Sequence, residues 1–395
     1  MIQSFEFKDY IDIYMVKIIL KKGREESLKR FHPWVFSGAI AQIVGNPAEG
    51  DVVGVYAADG HFLAAGHYQI GSIAVRVLSF DCDVLAPDFW EVSISRALQV
   101  RVAAGLAKGN DSTNCYRLVH GEGDNLPGLI IDYYDGVCVM QAHSAGMFRS
   151  KAQICQALQK VYGDDLKAVY DKSSGTAPFK AGLDLVDGYI YRKEGFSDDE
   201  QVVLENGNKF LVNWTEGQKT GFFLDQRLNR KLVGSFAKGR NVLNLFCYTG
   251  GFSIYALANG AVHVDSVDSS AKAMTLVDRN VVLNGYAPEM HTSYCCDAIE
   301  FLKNSPEDKY DLIIVDPPAF AKHRGVLNNA LRAYQRLNAA AISKVAPGGL
   351  VFTFSCSQAV DKEAFALAVF SAAAQARRSV RILDRLNQPA DHSVN

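Results

Sequence analysis

From residue 201 onward, short apolar runs alternate with longer stretches of helical periodicity, and no other feature constrains the fold as strongly. The apolar runs have the length of strands and read NVLNLF, HVDSVD, HTSYCC, YDLIIVD and LVFTFS. The stretches between them include SSAKAMTLVDRNVVLN and NNALRAYQRLNAAAISKV, with apolar residues at helical spacing. Nearly continuous apolar strands separated by helices are typical of a parallel sheet covered on both faces. The sequence therefore predicts an α/β, doubly wound domain.

Glycines and acids follow the first three of these strands, where a doubly wound sheet binds its ligands. The first strand continues into Phe246–Gly251, the second ends at Asp268, and the third ends at Asp297. Glycines let a ligand approach the backbone, Asp268 suits ribose hydroxyls, and Asp297 is placed for an adenine amino group. Taken singly, the glycine run fits a tight turn, and Ser269 or Asp297 fits a helix N-cap. Together these residues favour an adenosine pocket.

Two polar groups follow the last two strands. Asp316 stands directly before two prolines, which fix φ and hold the carboxylate at a rigid strand exit. A planar polar substrate can be hydrogen-bonded there, and Phe320 is placed to pack against its ring. Cys356 lies between two serines after the fifth strand. Most free cysteines are inert core residues, and a Pro-Pro turn can be purely structural, but here both groups end strands that converge on one cleft.

The N-terminal part of the chain has a different pattern. Between residues 16 and 80, short β-type runs alternate with glycine turns: VKIIL, WVFSGAI, DVVGVY, HFLAAGHYQ and IAVRVLSF, which predict a small barrel or sandwich. A helix is predicted over 88–106, and Asn206-Gly207 predicts a two-residue hairpin turn. We therefore predict an N-terminal extension (1–15), a β-barrel (16–86), a central α+β domain (87–200) and the doubly wound domain (201–395).

Charge does not exclude nucleic acid as a partner. The 395-residue chain has 41 Lys and Arg against 43 Asp and Glu, a formal net charge of -2. A local basic face can nevertheless hide in such a sum. Lys17 to Arg30 contains six basic residues and only two acidic ones. Next to His32 and Trp34, this stretch is suited to hold phosphates and stack a base, although a solvated barrel edge has the same composition.

Cysteine spacing and hydropathy argue against a zinc protein, a membrane protein and a secreted protein. The eight cysteines include no C-x-x-C pair, which gives a zinc site little support. No apolar run approaches the roughly 18 to 20 residues of a spanning helix, and the first residues do not read as a secretory signal. We expect a cytoplasmic protein with reduced thiols, no metal and no membrane partner.

With these residues in view, the chain resembles a known family: the bacterial large-subunit ribosomal RNA methyltransferases of the I-type. These enzymes contain a PUA domain and methylate carbon 5 of cytosine with S-adenosylmethionine. The resemblance rests on HPWVFSGAI, RLVHGEGDNLPGLIIDYY, GFFLDQR, NLFCYTGGFS, VDSS, DPPAFAK and SCS, and spans nearly the whole chain from Val16. DPPAF followed by SCS is its most specific part.

The resemblance implies a PUA-like barrel, a Rossmann-like catalytic domain, and a role for each motif residue. Cys356 would add to carbon 6 of cytosine to activate carbon 5, Asp316 would bind the N3 and N4 edge, and a base would then remove the carbon 5 proton. The cofactor-binding residues would be Phe246, Tyr248, Thr249, Gly250, Gly251, Asp268, Ser269, Asp297, Asp316 and Pro317. The RNA-binding residues would be Lys22, Arg24, Arg30, His32, Trp34, Pro318, Phe320 and Lys322.

The implied partner is 23S ribosomal RNA, and a homodimer is left open. Two-cysteine RNA cytosine methyltransferases have their second cysteine where this chain has Pro318. Methylation of guanine or of an amino group remains an alternative, although Ala319 separates Asp-Pro-Pro from its aromatic residue. A non-catalytic RNA-binding assembly factor is a second alternative. The family usually continues with a further antiparallel strand, and we expect that strand to be missing after ADHSVN.

Overall fold

The computed structural model describes residues 15–81, 83–107, 110–178, 181–321 and 324–394. The first strands are Val16–Leu20 (β1), Trp34–Phe36 (β2), Ile40–Val44 (β3), Val52–Tyr56 (β4), Phe62–Tyr68 (β5) and Ile73–Ser79 (β6), with a short helix, Glu26–Lys29 (α1). They form one six-stranded sheet in the order β2-β6-β5-β4-β1-β3. Ile18 and Leu20 alternate inward and pack with Val53, Val55 and Val75 in one core, as the period of two along a strand requires.

One predicted run is two strands. WVFSGAI was expected as a single β-type segment, but a 3₁₀ turn at Ser37–Ala39 separates β2 from β3. β2 pairs with β6 and β3 pairs with β1, so the two strands lie at opposite edges of the sheet. The prediction was wrong here because an apolar run does not show where the chain turns from one edge to the other.

The central part has strands Cys115–His120 (β7), Leu129–Tyr134 (β8), Val137–Ala142 (β9), Ala168–Asp171 (β10) and Gly188–Arg192 (β11). Their order is β11-β10-β9-β8-β7, and the helices are Phe89–Ala103 (α2), Ala145–Arg149 (α3) and Lys151–Tyr162 (α4). Leu78 of β6 belongs to the same buried cluster as Ile94, Leu118 and Ile154. Leu78 of the barrel sheet therefore packs in the core of the central part, while the barrel also has a core of its own.

A buried arginine joins the central part to the segment from Pro389 onward. Arg101 is fully buried, and its guanidinium binds the Asp124 carboxylate. It also donates to the backbone oxygens of Arg117, at 2.7 Å, and Asp391, at 2.9 Å. A buried charge is tolerated only when its hydrogen-bonding groups are satisfied, so this position requires all three partners.

The hairpin signal is confirmed. Strands Glu200–Glu205 (β12) and Asn208–Asn213 (β13) form a two-stranded sheet. Between them, Asn206 and Gly207 have φ values of 50° and 81°. A type I′ turn needs positive φ at both positions, which is why Asn-Gly predicts it.

The predicted doubly wound sheet is confirmed. Its strands are Asn241–Leu245 (β14), His263–Asp268 (β15), His291–Cys295 (β16), Tyr310–Val315 (β17) and Val345–Thr353 (β18). Its helices are Arg227–Ser235 (α5), Gly251–Ala258 (α6), Ala271–Leu283 (α7), Ala298–Asn304 (α8), Leu327–Lys344 (α9) and Lys362–Gln375 (α10). The order is β16-β15-β14-β17-β18, and each neighbouring pair is parallel. No antiparallel strand joins this sheet within the described residues.

The chain divides into two compact units. One contains the chain up to Val203, Val212–Asp225 and the segment from Pro389; the other contains Leu204–Leu211 and Gln226–Gln388. The domain boundaries predicted above stay predictions. Within the described ranges, we find no helix that is both long and apolar enough to cross a membrane.

Gly66 provides a test of the barrel. A Cβ at this position of β5 would fall on the carbonyl group of Arg76 and lie 2.8 Å from the Cα of Val77. Because these are backbone atoms that cannot move aside, we expect Gly66→Ala to lower the free energy of unfolding by about 2 kcal/mol or more. Gly38→Ala, where no atom lies within 4 Å of the new Cβ, is the matched control. Urea denaturation of both variants measures the difference; equal stability would contradict the packing described.

Candidate active site

The five parallel strands bring their last residues to one edge of the sheet. β14 pairs in parallel with both β15 and β17, and the strand order changes direction between them. In doubly wound sheets, ligands bind outside the carboxyl ends of the strands at such a switch point. The residues predicted from the strand ends therefore belong to one edge.

The turn after β14 has an unusual backbone. Phe246 and Tyr248 have φ values of 58° and 47°, a left-handed conformation that costs a non-glycine residue on the order of 1–3 kcal/mol. Gly250 follows at 78°, and the turn leads into α6. Asn280 of α7 donates to the backbone oxygen of Thr249 at 2.9 Å, which helps to hold the turn. The sequence indicated the glycines but not the strain at the two aromatic residues.

A buried ion pair supports this turn. Arg230 of α5 donates to both carboxylate oxygens of Glu205, each at 2.8 Å, and the Glu205 side chain is fully buried. Tyr255 donates to the same carboxylate at 3.0 Å. A Cβ on Gly251 would lie 3.0 Å from the Cδ of Arg230, so a larger residue would press on the pair. Sequence reasoning missed these residues because they are far apart along the chain.

Asp268 is oriented by the backbone. One carboxylate oxygen accepts from the Tyr248 amide at 3.0 Å, and the other accepts from the Ser270 amide at 2.9 Å. A carboxylate oxygen has more than one acceptor site, so these bonds do not exhaust the group. Asp268 therefore helps to fix the strained turn and is presented at the strand end.

Two hydrogen bonds show which residues cap the N-termini of α8 and α7. Asp297 caps α8 by accepting from the Glu300 amide at 2.8 Å, and its side chain is exposed. Ser270, not Ser269, caps α7 by accepting from the Ala273 amide at 3.3 Å. The expectation that Ser269 caps this helix was wrong by one residue, because the helix begins one residue later. Capping does not exhaust the acceptor capacity of Asp297.

Gln226 holds the Asp316 side chain. Its amide Nε2 donates to Oδ2 of Asp316 at 3.1 Å, and its own Oε1 accepts from Asn229 Nδ2 at 2.6 Å. Pro317 is buried and Pro318 is exposed, as expected for a rigid strand exit at the surface. Gln226 belongs to the segment GFFLDQR, whose sequence pattern assigns no role to any of its residues, and only the three-dimensional contact shows what it does.

Cys356 lies beside the Asp-Pro-Pro segment. Its Sγ is 3.6 Å from the backbone oxygen of Pro317, and the residue is exposed. The two segments predicted from separate strand ends are therefore in direct contact. An exposed thiol at a polar strand end has the accessibility that a nucleophile needs.

Other cysteines in the chain are placed differently. Cys138, Cys155 and Cys247 are buried. Burial raises the pKa of the Cys155 thiol to about 11 and also raises the pKa values of the Cys138 and Cys247 thiols well above their usual range. Thiols that stay protonated are poor nucleophiles, so Cys247, although part of the turn after β14, is a packing residue.

The remaining predicted substrate residues of this unit have mixed positions. Phe320 is half-buried, and its ring packs against Tyr334 with the centroids 4.7 Å apart. Lys322 lies outside the described residues. The ring of Phe320 is thus partly used by the protein itself, which the sequence did not indicate.

In the N-terminal unit, the predicted basic residues are at the surface. Lys22, Arg24 and Arg30 are exposed. Lys29, from the same stretch, pairs with Glu26 at 2.9 Å on the surface of α1. Glu26 offsets the charge of Lys29, so the net positive charge of the stretch comes from its other cations.

Trp34 is held by a neighbour that the sequence did not indicate. Its indole nitrogen donates to Glu122 Oε1 at 2.8 Å, and Arg76 donates to the same oxygen at 3.2 Å. The Arg76 guanidinium also lies 5.8 Å from the centre of the indole ring. The Trp34 amide donates to His32 Nδ1 at 3.1 Å. The two aromatic residues are therefore fixed together, with a cation beside them.

Comparison with known proteins agrees with this geometry. Residues 180–394 match the S-adenosylmethionine-dependent methyltransferase family. The chain belongs to this family. Residues 18–80 match a PUA-like domain, which confirms the predicted fold of the N-terminal barrel.

Two relatives match along nearly their whole length. A protein of Aeromonas hydrophila named ribosomal RNA large subunit methyltransferase I is 40% identical over 383 residues, which cover 95% of this chain and 94% of the relative. A protein of Shewanella amazonensis with the same name is 38% identical, covering 96% of this chain and 95% of the relative.

Solved structures support the fold. A methyltransferase structure complexed with SAH matches with a TM-score of 0.79 and 24% identity over 96% of both chains. A SAM-dependent methyltransferase structure from Streptococcus mutans matches with a TM-score of 0.77 and 23% identity, again over 96% of both chains. At this identity the agreement concerns the course of the chain and not its substrate.

The residues of this methyltransferase fit its cofactor, S-adenosylmethionine. Gly250 has a φ of 78°, a left-handed conformation that glycine adopts without steric penalty, and a Cβ there would lie 3.1 Å from a methyl group of Val277. Because glycine carries no side chain, a ligand can approach the backbone of the turn closely. The carboxylate of Asp268 is presented beside that turn, as nucleoside binding requires. Bound there, the cofactor supplies an electrophilic methyl group.

The same side chains do not form a metal centre. Within the part of the chain that the structure describes, no three His, Cys, Asp or Glu side chains are grouped so that they could hold a metal ion.

Asp268 tests the cofactor turn. Asp268→Ala removes the acceptor for the amides of Tyr248 and Ser270, so we expect its S-adenosylmethionine affinity to fall by about tenfold or more, equivalent to about 1.4 kcal/mol. Asp278→Ala, which removes an exposed carboxylate of α7 bonded to Ser293, is the control. Calorimetric titration of both variants measures the effect; an unchanged affinity of Asp268→Ala would exclude this role.

Proposed function

We propose that this methyltransferase acts on ribosomal RNA of the large subunit and methylates carbon 5 of a cytosine through a covalent bond to Cys356. The observation that carries the chemistry is the contact between Cys356 Sγ and the Pro317 oxygen, at 3.6 Å. It puts a thiol next to the segment that presents the Asp316 carboxylate. Methylation of an amino group does not need a nucleophilic cysteine at this place.

The choice of RNA rests on two findings. The relatives that match over nearly the whole chain are named ribosomal RNA large subunit methyltransferase I. The chain also has a PUA-like domain whose surface carries Lys22, Arg24 and Arg30. Exposed cations bind phosphates by releasing counterions, and His32 with Trp34 offers aromatic faces to an unstacked base.

The proposed reaction begins at Cys356. Carbon 5 of cytosine is too weak a nucleophile to accept a methyl group directly, so the thiolate first bonds to carbon 6 and the electron pair of the ring double bond moves toward carbon 5. Carbon 5 then takes the methyl group, while the bond between that methyl and the sulfonium sulfur of S-adenosylmethionine breaks. A base removes the carbon 5 proton, the double bond re-forms, and the bond from carbon 6 to sulfur breaks to release the thiolate.

Asp316 has the second role. Its carboxylate would bind the N3 and N4 edge of the base, which stabilises the ring while sulfur is attached. The bond from Gln226 to Oδ2 holds the carboxylate in one orientation. A cytosine within folded RNA must also be unstacked to reach this edge of the sheet, and the aromatic ring of Phe320 lies in the same segment as Asp316.

The cofactor roles follow the strand ends. Asp268 would bind the ribose hydroxyls and Asp297 the adenine amino group, and Gly250 and Gly251 would allow close approach of the backbone. The other residues assigned to this pocket are Phe246, Tyr248, Thr249, Ser269, Asp316 and Pro317.

Cys356 carries the first test. Cys356→Ala removes the thiol without adding bulk, so we expect methyl transfer from labelled S-adenosylmethionine to ribosomal RNA to be abolished. RNA containing 5-fluorocytidine should trap the wild-type protein as a stable adduct. A base can remove a hydrogen from carbon 5 but not a fluorine atom, so the bond between carbon 6 and sulfur cannot break. Gel electrophoresis under denaturing conditions detects the adduct.

The control is Cys296→Ser, which changes another exposed cysteine and should leave transfer and trapping intact. Full transfer by Cys356→Ala would refute the covalent mechanism. Digestion of the product RNA identifies the methylated atom: a methylated guanine or amino group would support the alternative chemistry instead. Absence of transfer by the wild type, with RNA binding intact, would favour an assembly factor.

The basic face carries a further test. The triple variant Lys22→Ala, Arg24→Ala and Arg30→Ala removes three exposed cations, so RNA affinity should fall and the salt dependence of binding should flatten by about one unit for each phosphate that is no longer neutralised. Filter binding at several salt concentrations measures both quantities. Lys238→Ala, which removes an exposed lysine of the other unit, is the control. An unchanged salt slope in the triple variant would show that this surface does not hold RNA.

A further inference from the structure

Cys356 is bracketed by two serines that bind the same buried hydroxyl. Ser355 Oγ donates to Tyr334 Oη at 3.0 Å, and Tyr334 Oη is 2.9 Å from Ser357 Oγ. Tyr334 is fully buried, whereas Cys356 between the serines is exposed. One side chain therefore anchors the backbone on both sides of the thiol.

The hydrogen bonds close into a ring. The Ser357 amide donates to Ser355 Oγ at 3.3 Å, which links the two serines directly. With Ser355 donating to Tyr334, the tyrosine hydroxyl has its own proton free to donate to Ser357 Oγ. The hydroxyls of Ser355 and Tyr334 then each have a defined donor direction, and Ser357 Oγ accepts, so the turn at Cys356 is held on both sides.

The same ring reaches the Asp-Pro-Pro segment. Ser357 Oγ also accepts from the Ala321 amide at 3.1 Å, and Ser357 is buried. The Phe320 ring packs on Tyr334 with a centroid distance of 4.7 Å. The segment that carries Asp316 and the segment that carries Cys356 are therefore tied to each other through Tyr334 and Ser357.

Tyr334 itself is held from its own helix and from α10. Asn338, one turn further along α9, donates to the Tyr334 backbone oxygen at 2.9 Å. Phe365 packs edge-on against the tyrosine ring at 5.3 Å. A side chain with no exposed surface and packed on two sides cannot reach a substrate, so any effect it has on the reaction passes through its neighbours.

The geometry points to Tyr334 as the positioning residue that holds Cys356 against the Asp316 segment through its bonds to Ser355 and Ser357. This inference rests on the proposed function, in which the Cys356 thiolate attacks the base. A displacement of about 1 Å in a reacting group can cost on the order of a hundredfold in rate. The hydroxyl, and not the ring, is the part that matters.

Tyr334→Phe tests this directly, because it keeps the ring and removes only the hydroxyl. We expect kcat for methyl transfer to fall by about ten- to a hundredfold, while KM for RNA and for S-adenosylmethionine stays within about twofold. Adduct formation with 5-fluorocytidine RNA should slow by the same factor. Ser357→Ala should reproduce the loss, since it removes the link to Ala321.

Tyr310→Phe is the matched control. Tyr310 is also buried and donates to Asp265 at 2.6 Å, but it begins β17, whereas Asp316 follows the end of that strand. We expect it to lose stability in urea denaturation without a change in kcat. An equal fall in kcat for Tyr310→Phe would overturn the inference, because general destabilisation would then explain both.

The outcomes also separate this inference from the proposed function. If Cys356→Ala is inactive but Tyr334→Phe and Ser357→Ala keep the wild-type kcat, the positioning role is wrong and the covalent mechanism stands. If Cys356→Ala keeps full activity, the covalent mechanism fails first. A rise in KM with unchanged kcat in Tyr334→Phe would also contradict a positioning role for the chemical step.

Discussion

Parallel pairing of β14 with both β15 and β17 is the constraint on which the candidate site depends. Because all five strands run in one direction, the segments that follow them are brought to the same edge of the sheet. A strained turn, an oriented carboxylate and an exposed thiol thus come to the same edge although they are distant in sequence. An antiparallel neighbour would send the following segment to the opposite edge, and the site would lose one of its parts.

The edge is built by pairing each functional group with a residue that holds it. Asp268 accepts from two backbone amides, Gln226 donates to Asp316, and Tyr334 binds the serines around Cys356. The left-handed turn after β14 is held by the bond from the Tyr248 amide to Asp268 and by the bond from Asn280 to the Thr249 oxygen. A site held in this way is preorganised, so little free energy is lost to rearrangement when its ligands bind.

The sequence predicts those parts of the site whose signal is a local pattern of residues, and it fails where the structure depends on hydrogen bonds or strand pairing. Asp316, Cys356 and the glycines follow apolar runs, so their position at strand ends can be read from the pattern alone. The Asn206-Gly207 turn is equally local. Ser269 shows the limit, because the cap is one residue further on and a helix boundary depends on hydrogen bonds that no periodicity shows. WVFSGAI shows the same limit, because its two halves pair with different strands and the pairing is not visible in the apolar run itself.

The amino-acid sequence by itself determined the fold class, the order of strands and helices from β14 onward, and the chemical groups available at the sheet edge. These follow from hydrophobic periodicity and from residue types, which are local properties. Only the tertiary structure decided that Gln226 meets Asp316, that Arg230 lies under Gly251, and that Tyr334 binds both neighbours of Cys356. Each of these contacts joins residues from separate elements, and their meeting depends on how helices pack on the sheet, which no local pattern encodes.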